Sequence, residues 1–352
     1  MYSLAIVGND ATADLATLAC EAAGFTAISR YRPTNVHPQP LAPITANATR
    51  LISALSPVAL NEIGREPQRA QIRLGRSAYL VSELPLGEFY RSRYGAPIIN
   101  CSAEDLCTAL TTTQSRPAAA LLSAENLNEI DAAHQLTLVT SRITHRQGQP
   151  KQPAPLSWFS TSTALSEPIQ ANITWLNGNQ RIFQWSSLQQ THYLLVTPSD
   201  QPFVTKHWHP VLHEAIANCG TANAFDPEQP RIREYYYDGS RVFLGHACYQ
   251  PNPVVPESAW LGLEDAWVLA RMLENYEEEV ADGVREYQRY RQARARRADR
   301  ETARACAALA TNSPGRRLLN NIGTALSSRF LPEIVMHKQD WFHQHDCIRG
   351  FR

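Results

Sequence analysis

Three stretches of the chain carry residues whose types and spacing could do chemistry. The first is Gly8-Asn9-Asp10-Ala11-Thr12-Ala13, directly after the apolar run 3–7. A glycine between a strand and a helix marks a turn at which the helix N-terminus can receive an anion. Asp10 stands in that turn, and a carboxylate there can itself accept the free N–H groups and complement the helix dipole. The second stretch is 241–274, RVFLGHACYQPNPVVPESAWLGLEDAWVLARMLE, which reads as a strand, a long loop and a helix. His246, Cys248 and Tyr249 lie close together in it. A Cys–His nucleophile is one reading, but no acid partner or oxyanion group is identifiable beside it, and a packed loop is the simpler one. The third is a set of histidines. His209 and His213 have the i, i+4 spacing of zinc ligands on a helix, with His207 beside them. Pro210 interrupts the pair, however, and no HExxH pattern or cysteine pair supports a metal. The tail adds His337, His343, His345, Asp346 and Cys347 in a segment of the kind that is commonly loose. No metal is assigned to either group.

The totals bound the classes. With 352 residues the chain has room for about two domains. Lys+Arg and Asp+Glu are both 33, for a formal net charge of +0, which removes the bulk electrostatic case for nucleic acid. The seven cysteines are odd in number, scattered and without a CxxC, which points to reduced thiols in a cytoplasmic protein. The first residues lack the basic segment and uninterrupted apolar core of a signal peptide, and no stretch is long and apolar enough to span a membrane.

The elements that must position these residues follow from periodicity. Residues 3–7 predict a strand, 11–24 a helix ending at Gly24, and 25–29 a second strand: a βαβ opening of the nucleotide-binding type. Residues 45–64 are helix-like and punctuated by Pro57, and Ser102 with Asp105 three positions on caps a further helix. Residues 147–157, rich in Pro and Gln, mark a crossing segment. Beyond it, Asn177-Gly178 predicts a tight hairpin between two β-rich runs. From about 258 the chain reads as helical, with arginines at 285, 289, 291, 294, 296, 297, 300 and 304 and a further amphipathic piece at 315–330. The expected division is a nucleotide-binding-type α/β domain from 1–150 plus 235–335, an inserted β-rich domain at 151–234, and a tail at 336–352.

Taken together, the βαβ start, the β-rich middle and the late segment resemble the FAD-dependent aromatic hydroxylases, in particular those of ubiquinone biosynthesis. That family's late segment reads roughly GDAAH-x3-P-x2-GQG-x3-GLxDA. Laid on this chain without a gap, it matches at Gly245, Pro253, Gly262, Leu263, Asp265 and Ala266. The downstream helical block resembles the same subfamily. The resemblance runs from the start to about residue 335 and is weak between 65 and 235. It implies a Rossmann-like FAD-binding domain, an inserted β-rich substrate domain and C-terminal helices. It also implies FAD near Gly8, Ala11, Gly245 and Pro253, and NAD(P)H as co-substrate of an active enzyme.

The departures fall on the residues that would touch FAD. In place of GxGxxG the loop has Gly8, Asp10 and Ala13. Ala13 is tolerable, whereas Asp10 would occupy the place of the pyrophosphate and repel it. No acid ends the second strand, which offers Ser29, Arg30 and Tyr31. The Gly-Asp pair is Gly245-His246, and the GQG tripeptide is Pro256-Glu257-Ser258, where proline removes a donor outright. The middle Asp-Gly motif has no clear counterpart, since Asp131 in 130–155 is not followed by glycine. Each lost bond is worth about 0.5–1.5 kcal/mol, and several together amount to orders of magnitude in affinity. The expectation is a paralogue that keeps the fold, has lost normal FAD binding and acts as a binding or scaffold subunit in quinone metabolism. The alternative is an active FAD-dependent monooxygenase that hydroxylates a quinone-precursor ring. A different ligand in the cleft is a third option, with Arg30 and His246 as its polar groups. The Arg-rich helix 285–304 reads first as a solvated or internally paired face. As the alternative it would meet quinone-biosynthesis proteins or a membrane surface, which would place the protein at the periphery of the inner membrane.

Overall fold

The computed structural model describes residues 2–34, 36, 40–114, 122–124, 126–142, 156–165, 167, 169–225, 232–250, 252–310, 336–337 and 339–351. Most of the crossing segment at 147–157 and the amphipathic piece at 315–330 lie outside them. The first elements are β1 (Ser3–Val7), α1 (Ala11–Ala22), β2 (Ala27–Pro33), α2 (Ala46–Leu55) and α3 (Leu60–Ile63). Then come β3 (Arg69–Leu74), β4 (Leu80–Pro85), α4 (Glu88–Tyr94), α5 (Ala103–Thr113), β5 (Leu122–Ala124), α6 (Leu127–Ala133) and β6 (Leu136–Val139). A run of strands follows: β7 (Leu156–Ala164), β8 (Ala171–Asn177), β9 (Gln180–Ser186) and β10 (Gln190–Pro198). The chain continues through α7 (His213–Ala217), β11 (Asn223–Phe225), β12 (Tyr237–Asp238) and β13 (Arg241–Phe243). It closes with α8 (Leu261–Asn275), α9 (Val280–Ala310) and the short α10 (Asp340–His343).

Two sheets organise these elements. The first has the order β12-β13-β6-β1-β2-β5, with β1 parallel to both β2 and β6. Leu4, Ala5, Ile6 and Val7 have no exposed surface, as expected of a parallel strand covered by helices on both faces. The helix α1 ends where the glycine predicts. Gly24 takes a positive φ of 88°, and the Phe25 N–H returns to the Cys20 carbonyl. The second strand runs four residues further than its apolar pattern suggests, to Pro33, because the backbone of Tyr31–Pro33 also pairs with β5.

The second sheet has the order β11-β7-β10-β9-β8-β3-β4. The Asn177-Gly178 hairpin joins β8 to β9, with Gly178 at φ 60°. The strands β3 and β4 come from residues 69–85, so this sheet draws on the chain before residue 150 as well as after it. The parallel β3–β8 pairing supplies the reason: it satisfies the backbone edge of β8 that the hairpin leaves open. Alternation along β8, β9 and β10 gives each face its own core. Trp175, Tyr193 and Leu195 pack under α7 with Trp208 and Leu212. Trp158, Trp185, Leu194 and Val196 pack on the opposite face with Leu41, Val254 and Cys306, and so bring the second sheet against α9 and the loops after β2 and β13.

The residues 280–310 form one helix whose buried stripe is Val284, Tyr287, Arg291, Ala295, Ala298 and Thr302. Arginines 285, 289 and 304 face outward and pair with Asp282, Glu286 and Glu301 one turn away. Among the described residues, no helix is long and apolar enough to cross a membrane.

Candidate functional site

In a doubly wound sheet, ligands bind in the crevice beyond the carboxyl ends of the parallel strands. Three turns meet there: Gly8–Asp10 after β1, Thr140–Arg142 after β6, and Gly245–Ala247 after β13. A cleft of about 630 Å³ opens beside them. Asp10, Ala11, Arg32, Ser141, His246 and Trp260 are among its walls.

Asp10 caps α1. Its Oδ1 accepts the Ala13 N–H at 2.9 Å and the Thr140 hydroxyl at 3.1 Å, and its Oδ2 accepts the Ser141 hydroxyl at 3.0 Å. The carboxylate thus takes the N-terminal donor and dipole that an anionic ligand would otherwise use. The glycines around it serve packing within the protein. A Cβ on Gly8 would stand 1.9 Å from the Thr140 hydroxyl oxygen, and one on Gly262 would stand 2.3 Å from that of Thr12. Gly245, at φ 50°, touches Gly262 and Thr12, so these positions let α1 and α8 close on each other. FAD, which the fold implies, meets a filled position here. The pyrophosphate place at the start of α1 holds a bonded carboxylate, and the residues present do not fit a second anion.

His246 lies beside Asp10, with Nδ1 4.0 Å from Oδ2. That is too long for a hydrogen bond, and neither ring nitrogen has a partner among the described residues. The ring is 5% exposed. Burial pulls its pKa down to about 4 against the opposing pull of Asp10, so the ring is neutral at neutral pH.

The remaining expected site residues divide. Ala13 is fully buried in α1. Pro253 and Ser258 are buried in the segment that leads from the turn after β13 to α8, where the Ser258 Oγ accepts the Asn252 N–H at 3.3 Å. Arg30 corrects the expectation that it faces the cleft. Its guanidinium is buried against α1, 2.9 Å from both Asp14 Oδ1 and Thr17 Oγ1. Among the described residues, the arginine that lines the cleft is Arg32. Ending the second strand at 29 hid it, because the longer β2 carries the chain two residues further before it reaches the crevice. Ser141 was legible only as a polar residue following an apolar strand. Tyr31, at the strand end, is bonded through its hydroxyl to His134 at 3.0 Å.

The other constellations serve structure. Cys248 donates its thiol to the Phe243 carbonyl at 2.8 Å, and burial pushes its pKa well up, the opposite of an activated nucleophile. Tyr249 donates to Asp265 at 2.9 Å. His209 stacks on Trp175, and His213 contacts the Trp208 carbonyl at 3.0 Å. Among the described residues no three His, Cys, Asp or Glu side chains are grouped so as to hold a metal. Behind the crevice lies a buried charge network. Arg291 bonds Asp265 at 2.5 Å and Glu264 at 2.8 Å, and Arg294 and Asn47 also reach Glu264. Burial pushes the Glu264 carboxyl up, but Arg294 and Arg291 outweigh it and hold it well below the usual carboxylate range.

No family model and no curated protein matches the sequence. Among solved structures the chain is similar to a variant of HpxO from Klebsiella pneumoniae complexed with FAD, at 14% identity and a TM-score of 0.76, over 97% of this chain and 98% of that one. It is similar to PqsL of Pseudomonas aeruginosa, described as a probable FAD-dependent monooxygenase, at 12% identity and 0.67, over 93% and 99%. It is also similar to a salicylate hydroxylase in a substrate complex, at 15% identity and 0.65, over 98% and 96%. The chain has the fold of the FAD-dependent aromatic hydroxylases and monooxygenases.

Proposed function

We propose that this chain is a cofactor-independent relative of the flavin hydroxylases that acts by binding, as a ligand-binding or scaffold protein in quinone metabolism. The observation that supports it is the Asp10 carboxylate, which caps α1 and is held by the Thr140 and Ser141 hydroxyls. A dinucleotide would have to displace those bonds and place its own negative charge against the carboxylate. The quinone assignment rests on the resemblance of 245–266 and the helical block after it to the ubiquinone-type hydroxylases. Within this reading, quinone-biosynthesis proteins or a membrane surface would meet the outward arginines of α9. The second reading, an FAD-dependent monooxygenase using NAD(P)H, is favoured by the open cleft of about 630 Å³ beside Asp10.

A visible absorption spectrum of the purified chain, with and without FAD, separates the two, followed by thermal unfolding in an FAD titration. A ligand that binds only the native state must raise the midpoint. The expected result for the wild type is no bound-flavin spectrum and no saturable shift. Asp10→Gly removes the carboxylate at a cost of about 0.5–2 kcal/mol, because the Thr140 and Ser141 hydroxyls lose their acceptor along with the cap, and should gain measurable FAD affinity. A bound flavin and a saturable shift in the wild type would overturn the proposal and direct attention to NADH oxidation with phenolic substrates.

A further inference from the structure

His246 separates the cleft beside Asp10 from a second one, of about 500 Å³, on the other side of the β6 and β13 ends. Ser141, Arg142, Arg233, Phe243 and His246 are among its walls. Arg142 ends the turn after β6 and stands exposed at the mouth. Arg233 is fixed in place: its guanidinium carbon lies 3.8 Å from the centre of the Phe243 ring, and its Nε donates to the Ala247 carbonyl at 2.8 Å. Its terminal nitrogens keep no hydrogen-bond partner among the described residues.

The acids nearby do not resolve this. Glu234 and Asp238 also line the cleft but form no ion pair with either arginine among the described residues, and Arg241 is already engaged by Asp131 at 2.5 Å. Two guanidinia thus line one space with no ion pair to either among the described residues, and a buried imidazole with two unsatisfied nitrogens forms part of its wall. Like charges held together are unfavourable until an anion bridges them, and a guanidinium fork matches the planar or tetrahedral oxygens of such a group. Stacking on Phe243 pre-orders Arg233, which lowers the entropy lost on binding.

We propose that this second cleft is an oxyanion-binding site, in which Arg142 and Arg233 hold the carboxylate or phosphate group of a small ligand and His246 supplies one further hydrogen bond. The site goes beyond the reading above and does not depend on it, because neither arginine lines the cleft beside Asp10.

Isothermal titration calorimetry of the full chain tests it, with inorganic phosphate and, separately, benzoate, in chloride buffer at fixed ionic strength. The expected result is saturable binding of at least one anion; which one binds decides between a phosphate and a carboxylate ligand. Arg142→Gln changes an exposed residue and should weaken binding at least tenfold. Arg32→Gln, in the neighbouring cleft, should leave it unchanged. The proposal is overturned if neither anion binds saturably, if Arg142→Gln binds as tightly as wild type, or if Arg32→Gln weakens binding as much as Arg142→Gln. Flavin absorbance reads the first cleft and the heat of anion binding reads the second, so failure at one leaves the other standing.

Discussion

At the scale of the residue, one carboxylate decides how the start of α1 is used. Asp10 satisfies a helix N–H and receives two hydroxyls, so removing it leaves three groups without their partner. Asp10→Ala should destabilise the protein by about 0.5–2 kcal/mol, the usual cost of losing a cap. Asp10→Asn keeps a cap acceptor and should lose less. Urea unfolding midpoints check the order; an Ala variant as stable as wild type would mean that the carboxylate contributes nothing to the fold. Burial keeps the neighbouring His246 neutral, against the Asp10 charge, which favours the imidazolium.

At the scale of the element, α1 and α8 approach closely because Gly245 and Gly262 face Thr12. Gly262→Ala places a methyl where the Thr12 hydroxyl lies, and overpacking of this kind typically costs about 1–3 kcal/mol. Thr12→Ala should recover part of that loss. A double-mutant cycle on the unfolding free energies is therefore expected to be non-additive. Additive values would show that the two helices do not share this contact. In α9, a helix that reads as a charged surface has Arg291 in its core stripe, 1% exposed in its side chain and bonded to two acids of α8. A buried arginine is tolerable there because both of its partners are buried with it.

At the scale of the whole molecule, the chain beyond α9 returns to α2 and α4. Arg93 bonds Asp340 at 2.6 Å, Arg50 donates to the His343 and His345 carbonyls, and the His343 ring meets the Tyr90 hydroxyl at 2.8 Å. The residues 339–347 that the sequence offered as a loose tail are thereby pinned between α2, α4 and α9. Burial pulls the pKa down to about 3 at His343 and about 4 at His345, as it does to about 4 at His246. All three lie below the unfolded value of about 6.5, so the unfolded chain takes up protons first. Stability should be flat above about pH 6.5 and fall as the pH drops toward 4, by up to ~1.4 kcal/mol per pH unit for each ring. Unfolding at pH 7.5 and pH 5 tests this; equal midpoints would show that the rings are not buried neutral.

Much of the local order was fixed by sequence. The apolar run 3–7, Gly24, Ser102 with Asp105, and Asn177-Gly178 each act within a few residues, and each forms the strand, cap or turn that its chemistry requires. The helical spacing of Leu261, Leu263, Ala266 and Leu269 likewise places all four in the core. Asp10 was readable as a helix cap for the same reason, since its first partner is three residues away. Its other partners, Thr140 and Ser141, lie 130 residues on and were not readable. Tertiary structure alone decided that Arg30 turns to Asp14 while Arg32 reaches the cleft, that residues 69–85 join the second sheet, and that Arg142 and Arg233 line one cleft. Periodicity sets which face a side chain takes, but which distant element meets that face depends on how the two sheets pack.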